Sequence, residues 1–225
     1  KTPVLTTIHG FSSEQIMPIY RKYRDGNFVS ISQSDRCPDL QYRGTVYNGI
    51  DTNLYPLQQQ PGEDLIFLGR IHPDKGLHLA LEVARQSGRR LLIGGIIQDQ
   101  AYFDDLAIDG ERAVYLGPLD TNGKNELFKQ AYALLHLNTI PERFGLVLVE
   151  ANCAGIPVLA MDRGSPREVI EHGKTGFLVD SPGAAVEALG RVDQIDRSAC
   201  RRRVEEQFSV AAMVAGYEKI YAQLL

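Results

Sequence analysis

Cysteine is scarce in this chain and tryptophan is absent. Three cysteines occur among 225 residues, an odd number, and their positions show no metal-ligand spacing. A disulfide-stapled scaffold and a cysteine-based metal site are therefore both disfavoured. The composition predicts reduced thiols and a cytoplasmic location, and we assign no chemistry to Cys37, Cys153 or Cys200.

Long apolar runs and a one-sided charge are also missing. No stretch approaches the ~20 consecutive apolar residues that a membrane-spanning helix needs. The formal net charge is -4 with both signs interspersed, which disfavours binding to the phosphate backbone of nucleic acids. Any anion site in this chain must therefore be local.

From residue 63 onward, short apolar runs alternate with helical patterns. The runs are nearly continuous in apolar residues, as in strands buried on both faces of a parallel sheet. Between the first two runs, Leu77, Leu81 and Ala84 recur at helical spacing, and Gly88 is a natural helix stop. This repetition predicts an α/β fold with a doubly wound parallel sheet. The predicted strands are 65–69, 90–95, 113–117, 133–138, 157–161 and 176–179.

The first 50 residues show a shorter version of the same alternation. Strands are predicted at 4–9, 27–32 and 42–49, and a helix at 12–24. These elements are too few for a complete doubly wound domain. We therefore expect the rest of a first domain in a preceding segment, in the same chain or as a separate one.

A polar, proline-bearing linker, residues 50–64, then separates two regions. We expect residues 1–58 to be the end of the first domain with the linker, and residues 59–208 to form a second domain. Residues 209–225 are predicted to form an amphipathic helix that packs back toward the first domain. Its apolar face comprises Val210, Met213, Val214, Tyr217, Ile220, Tyr221 and Leu224.

Ligands of open parallel sheets bind beyond the carboxyl ends of the strands, so the loops at that edge are the candidates for a site. The stretch LGRIHPDKG places Arg70 and Lys75 in the loop after Gly69, close enough to converge on one anion. A diphosphate needs its charge neutralised, and arginine adds forked donors to the point charge of lysine. Gly117 ends another strand at the same edge. A solvated loop is the alternative interpretation of both cations.

The stretch ERFGLVLVEANCAG predicts a loop that enters a helix. The first free N–H groups of this helix lie near Gly145, Leu146 and Val147, and such a start binds phosphate. Four apolar residues in a row predict that the helix is buried all round, so Glu150 would be a buried ion unless a partner meets it. A vicinal diol, such as a ribose, offers two donors to such a carboxylate. Glu142 would face the other side of the same ligand. A side chain that reaches solvent is the alternative for Glu150.

Four motifs in order, GR…DKG, ERFGLVLVEANCAGIPVLA, GSPREVI and GKTGFLV, resemble the donor domain of GT-B retaining glycosyltransferases of the family-4, or group 1, type. Glu142 and Glu150 match the Glu-x7-Glu element of that family in full, with Phe144 and Gly145 in the expected places. The resemblance covers residues 63–225. The stretches VLTTIHG, FVSISQSDR and TVYNGID resemble the end of the family's first domain.

The resemblance implies a role for each site residue. Arg70 and Lys75 would neutralise the diphosphate of a nucleotide-sugar donor. Glu142 would contact the hydroxyls of the donor sugar, and Glu150 would hold the ribose. His9, at a predicted strand end, would reach the transferred sugar from the first domain, and an ordinary strand-end histidine is the alternative.

The implied reaction moves the sugar to an acceptor hydroxyl with retention of configuration, without a metal ion or a cofactor. UDP-sugar is slightly preferred as the donor, and Arg143, where the family commonly has glycine, leaves the sugar open. The acceptor is also open, and a lipid acceptor would add peripheral contact with a membrane. An epimerase or phosphorylase on the same fold, or a chain that binds nucleotide sugars without being catalytically complete, are the alternatives.

Overall fold

The structure is a computed structural model that describes residues 2–10, 14–106 and 108–225. The strands are β1 (Leu5–Ile8), β2 (Asn27–Ser30), β3 (Tyr42–Thr45), β4 (Asp64–Leu68), β5 (Leu91–Gly94), β6 (Ala113–Tyr115), β7 (Ala131–His136), β8 (Val158–Met161) and β9 (Gly176–Val179). The α-helices are α1 (Met17–Lys22), α2 (Leu77–Ser87), α3 (Gln100–Asp104), α4 (Thr121–Gln130), α5 (Leu146–Cys153), α6 (Pro166–Val169), α7 (Pro182–Leu189), α8 (Arg197–Gln207) and α9 (Val210–Leu224).

Six strands form one parallel sheet in the order β6-β5-β4-β7-β8-β9. The chain enters this sheet at its centre with β4, winds outward to β6, returns to β7 beside β4, and winds to the other edge. The order therefore reverses between β4 and β7, where open parallel sheets form a ligand-binding crevice. The predicted doubly wound parallel sheet is confirmed, and each predicted run overlaps one of its strands.

Burial on both faces explains why continuous apolar runs form the strands of this sheet. Every residue of β4, β5, β7 and β8 is buried. On one face, Leu77 of α2 and Ala185 of α7 belong to a buried apolar cluster. On the other face, Phe128 of α4, Val149 of α5 and Val204 of α8 belong to a second cluster. Each fully buried leucine, valine or phenylalanine side chain contributes about 1.5–3 kcal/mol to stability.

Two glycines set the limits of α2 and bring the loop after β4 close to the end of β7. Gly76 and Gly88 flank the helix in the left-handed region, with φ of 68° and 70°, so the predicted stop at Gly88 is confirmed. A Cβ at Gly76 would overlap the carbonyl oxygen of Leu137. Only glycine therefore allows this close approach of the two loops beside the crevice.

The first three strands form a separate parallel sheet in the order β1-β2-β3. All three predicted strands are present, although β3 ends at Thr45 rather than at residue 49. The helix predicted at 12–24 is shorter, because Pro18 lies in the first turn of α1 and proline is tolerated there but not in a helix interior. Residues 11–13, with part of that prediction, lie outside the described residues.

Side-chain contacts join the two sheets. The Glu168 carboxylate, in α6, accepts hydrogen bonds from the N–H groups of Gln33 at 2.7 Å and Ser34 at 2.9 Å. The hydroxyl of Tyr47 donates to the same carboxylate at 3.0 Å. Both carboxylate oxygens of Glu168 thus accept hydrogen bonds from the segments that follow β2 and β3.

The last helix, α9, packs on the first sheet. Met213, Tyr217, Ile220 and Leu224 contact the cluster that includes Val29 and Val46. Val210, Val214 and Tyr221 are exposed, so the buried stripe is narrower than the predicted face. The domain limits at 58 and 208 stay a prediction. Among the described residues, no helix combines the length and apolarity that a bilayer span requires.

Candidate functional site

Two clefts open where the sheet order reverses, with volumes of about 360 and 370 Å³. Both are lined by Leu68 and Gly69, at the end of β4, and by Leu146 and Val147, in the first turn of α5. The start of α5 is therefore the wall between them. We call the cleft that contains Glu142 the first cleft, and the one that contains Glu150 the second cleft.

Hydrogen-bond donors converge on the Glu142 carboxylate in the first cleft. Its Oε2 accepts from Lys75 Nζ at 2.6 Å and from Asn138 Nδ2 at 2.6 Å. His136 Nε2 lies 3.1 Å from the same oxygen and donates to it, because a carboxylate only accepts. The N–H of Arg143 donates to Oε1 at 3.1 Å. With three contacts on Oε2 and one on Oε1, Oε1 retains more capacity for a ligand hydroxyl.

The Glu142 side chain is 13% exposed. Burial alone raises the pKa of this carboxyl, but the hydrogen bond and charge of His136, and then the charge of Lys75, outweigh it. The pKa of Glu142 is therefore held well below its ordinary value of 4.5. Near neutral pH the group is an anion that can only accept hydrogen bonds.

The segment after β8 fixes the backbone of Glu142. Its N–H donates to the carbonyl of Arg163 at 3.0 Å, and its carbonyl accepts from the N–H of Ser165 at 2.9 Å. Gly164, between them, has a φ of 84°, and a Cβ there would overlap the Glu142 carbonyl oxygen. The GSPREVI motif thus supplies the glycine that lets two loop backbones meet at the site.

The Glu150 carboxylate, in the second cleft, has partners from two other parts of the chain. Lys124 Nζ, in α4, lies 2.8 Å from Oε1 and 2.7 Å from Oε2. The hydroxyl of Tyr55, in the linker, donates to Oε1 at 2.9 Å. The Glu150 side chain is 12% exposed. The buried Glu150 ion therefore has a partner within the protein, because Lys124 of α4 supplies the counter-charge.

Most predicted site residues line the two clefts. Those in the first cleft are His9, Gly69, Lys75, Glu142, Phe144, Gly145, Leu146 and Val147. Those in the second cleft are Gly69, Arg70, Leu146, Val147 and Glu150. Among the described residues that line the second cleft, Pro118 and Leu119 are present but Gly117, which precedes them, is not. The roles of these residues stay predictions.

The two predicted diphosphate-binding cations line different clefts. Lys75 is paired with Glu142, and Arg70 is exposed and hydrogen-bonds Gln98. Their convergence on one anion would require at least one of these contacts to change. It therefore stays a prediction.

The first turn of α5 differs from the prediction of a helix buried all round. Leu148, Val149 and Ala151 are buried, but Leu146 is 46% exposed. Gly145 precedes the helix with a φ of 78°, which turns the chain so that Leu146 lies between the clefts. An apolar side chain thus stands at the helix end that a phosphate would approach.

Four residues in contact with the two glutamates were not predicted from the sequence. His136 and Asn138 are polar residues two positions apart at the end of an apolar run. In an extended chain, residues two positions apart lie on the same side. That spacing was the available signal for them. Lys124 and Tyr55 carry no comparable signal, since each lies far from Glu150 in the chain.

A third cavity, of about 420 Å³, lies on the outer side of α2 and includes Arg85, Arg89 and Arg112. The last two precede β5 and β6, so this cavity is at the amino ends of the strands. Ligands of open parallel sheets bind at the opposite ends. We therefore assign the functional site to the first and second clefts.

Fold and site together define a doubly wound α/β protein with two clefts around a helix start, suited to an anionic ligand that carries hydroxyls. The family model described as Glycosyl transferases group 1 matches residues 57–205. The chain belongs to this family.

Curated relatives resemble this chain over part of their length. A phosphatidyl-myo-inositol mannosyltransferase of Mycobacterium tuberculosis is 31% identical over 203 residues, 80% of this chain and 52% of that protein. An N-acetyl-alpha-D-glucosaminyl L-malate synthase of Bacillus anthracis is 35% identical over 123 residues, 51% of this chain and 32% of that protein. The chain thus spans about half the length, or less, of these relatives.

Solved structures share the fold. Anabaena HepE in complex with UDP and glucose matches with a TM-score of 0.82 and 20% identity, over 98% of this chain and 71% of that one. Sucrose-phosphate synthase from Thermosynechococcus elongatus matches with a TM-score of 0.78 and 22% identity, over 98% and 67%. The parallel-sheet architecture is that of GT-B glycosyltransferases.

Proposed function

We propose that the protein transfers a sugar from a nucleotide-diphosphate sugar to an acceptor hydroxyl with retention of configuration, and that UDP-sugar is the preferred donor. One observation carries this proposal. Glu142 and Glu150 lie in separate clefts on the two sides of the α5 start. Such an arrangement suits a ligand that has an anionic centre and hydroxyls at both ends.

Each part of a nucleotide sugar has a matching environment. The N–H groups and dipole of the α5 start favour the diphosphate, and Arg70 lies beside them in the second cleft. The Oε1 atom of Glu142 has capacity for a hydroxyl of the sugar. Glu150 accepts from the ribose, and the apolar wall at Pro118 and Leu119 lies against the base.

Departure of the diphosphate is the costly event in such a transfer. Donors already in place stabilise the developing charge better than groups that must first reorganise. We assign this role to the α5 start, Arg70 and Lys75. The acceptor oxygen attacks the face from which the diphosphate leaves, so no enzyme nucleophile is assigned, and these positive groups supply charge that a divalent cation would otherwise provide.

Two solved structures support the choice of donor class. Anabaena HepE was crystallised with UDP and glucose, and also with UDP-glucose. The same fold therefore accommodates a UDP-sugar in that protein.

The first test is calorimetric titration of the chain with UDP and with UMP. We expect UDP to bind at least about tenfold tighter, because a charge-assisted hydrogen bond to the second phosphate contributes about 1.5–3 kcal/mol. EDTA should leave the affinity for UDP unchanged, and a loss of tenfold or more would refute the metal-free donor site. Equal affinities for UMP and UDP, and for the matching adenine and guanine pairs, would refute the diphosphate site.

Glu150→Gln and Glu142→Gln separate the two ends of the ligand. Glu150→Gln should weaken UDP and UDP-glucose alike, whereas Glu142→Gln should spare UDP and weaken only a sugar-bearing donor. Glu126→Gln, in an exposed ion pair on α4, is the control and should change neither affinity. The opposite pattern for the two site variants would show that their roles are exchanged.

A further inference from the structure

Lys124 and Tyr55 have no role in the function proposed above, yet both contact Glu150. Lys124 is near the start of α4, where the Asp120 side chain accepts a hydrogen bond from the N–H of Gly123 at 2.8 Å. The next side chain, Asn125, donates to the carbonyl of Leu54 in the linker at 2.8 Å. The position of Lys124 is therefore fixed from both sides. Its Nζ lies within 2.8 Å of each Glu150 oxygen, which sets the plane of the carboxylate as well as neutralising it.

Tyr55 is held equally firmly. Tyr55 is 5% exposed, and its ring packs against the ring of Phe128 with a centroid separation of 6.2 Å. Its carbonyl accepts from Arg201 Nη1 at 2.6 Å. Burial, and then the charge of Glu150, raise the pKa of the Tyr55 hydroxyl well above its ordinary value of 10.0. The hydroxyl stays protonated and donates to Glu150.

These contacts limit what Glu150 can still accept. A carboxylate has about four acceptor positions, two on each oxygen. Tyr55 and Lys124 occupy both positions on Oε1, and Lys124 occupies one on Oε2. About one position therefore remains, on Oε2, whereas the diol expected from the sequence would need two.

We propose that Lys124 and Tyr55 are positioning residues of the donor site, which orient Glu150 so that it accepts one ribose hydroxyl through Oε2. This inference rests on the proposed function, because it concerns the ribose of the same nucleotide. Since Tyr55 belongs to the linker, it also makes the geometry of the second cleft depend on the segment that joins the two sheets.

The experiment combines protein and ligand changes. UDP, 2′-deoxy-UDP and 3′-deoxy-UDP are titrated by calorimetry into the wild type, Tyr55→Phe and Lys124→Met. GDP or ADP and their deoxy analogues take the place of UDP if the wild type binds one of them tighter. Tyr132→Phe is the control for the first variant, because the Tyr132 hydroxyl also makes a buried hydrogen bond, to the carbonyl of Leu189 at 3.2 Å. Lys129→Met is the control for the second, because Lys129 is on the same helix and pairs with exposed Glu126.

We expect one deoxy analogue to bind the wild type about tenfold more weakly than UDP, and the other to bind within about twofold. Tyr55→Phe and Lys124→Met should each weaken UDP about five- to tenfold. Tyr55→Phe should barely change the affinity for the sensitive analogue. Lys124→Met should weaken the analogue by a smaller factor than UDP, because it also removes a positive charge from the second cleft. Both controls should match the wild type. Thermal melting of the unliganded variants checks folding. If Tyr55→Phe does not fold, the comparison of Lys124→Met with Lys129→Met tests the inference.

Three results would overturn the inference while the proposed function stands. In the first, both site variants bind UDP like their controls. In the second, they weaken UDP and the sensitive analogue by the same factor, as a general structural role would. In the third, the wild type binds 2′-deoxy-UDP and 3′-deoxy-UDP with equal affinity. A wild type that binds no nucleoside diphosphate would overturn the proposed function and this inference together.

Discussion

Replacing Lys75 by methionine removes the ammonium group that lies 2.6 Å from the Glu142 carboxylate. The side chains of the pair are 18% and 13% exposed, so water cannot take over much of the lost interaction. We predict that Lys75→Met lowers the free energy of unfolding. We also predict that its effect is strongly coupled to that of Glu142→Gln.

The magnitude follows from the geometry. At an effective dielectric constant of about 20, two unit charges at this separation attract by about 6 kcal/mol. Much of this is offset by the cost of removing both charges from water, and removal of one partner of a buried pair costs about 3–5 kcal/mol. His136 and Asn138 still donate to Glu142 after the change, which reduces the loss. We therefore expect a coupling energy of about 2–3 kcal/mol.

The measurement is a double-mutant cycle by urea denaturation of the wild type, Lys75→Met, Glu142→Gln and the double variant. The chain offers a matched control in the exposed pair Lys129 and Glu126, which has the same 2.6 Å separation but side chains that are 56% and 68% exposed. That pair should couple by less than about 1 kcal/mol. A coupling energy at the buried pair no larger than at the exposed pair would refute the reasoning from burial.

Two further predictions concern Glu142. Its lowered pKa means that its interactions stabilise the fold fully above pH 4.5, its ordinary pKa, and that this contribution is lost as the pH falls toward the folded pKa. Urea midpoints measured from pH 7 to pH 3 should therefore fall more steeply for the wild type than for Glu142→Gln, and identical slopes would contradict this. Gly164→Ala should destabilise by about 2 kcal/mol or more, because the left-handed backbone and the Glu142 carbonyl both oppose a Cβ. Gly183→Ala in α7, where nothing lies within 4 Å of the added carbon, should be neutral or slightly stabilising.

The six-stranded sheet could be predicted from the sequence because a parallel strand is buried on both faces. The apolar runs of β7 and β8 can therefore be identified without knowing which strands lie next to them. The limits of α1 and β3 were predicted less well. Short elements at the edge of a sheet depend on a few contacts, and a proline in the first turn decided where α1 begins.

The two glutamates could be identified from the sequence, but which residues pair with them could not. The spacing of Glu142 and Glu150 around an apolar helix start is visible in one short stretch. Lys75 is 67 positions away from Glu142, and Tyr55 is 95 positions away from Glu150. Such contacts arise only when the sheet and linker bring distant segments together, and one sequence carries no signal for that pairing.

The partners resolve an electrostatic difficulty at this site. A helix start that binds a diphosphate should not have two uncompensated carboxylates beside it, because each would repel the ligand. Here Lys75 neutralises Glu142 and Lys124 neutralises Glu150, each at no more than 2.7 Å. The two clefts therefore contribute acceptors for hydroxyls without a net negative charge. In the proposed function, the partial positive charge of the α5 start and the guanidinium of Arg70 then favour the diphosphate together with Lys75. Removing either lysine should thus weaken the binding of the anion even where the lysine does not touch it.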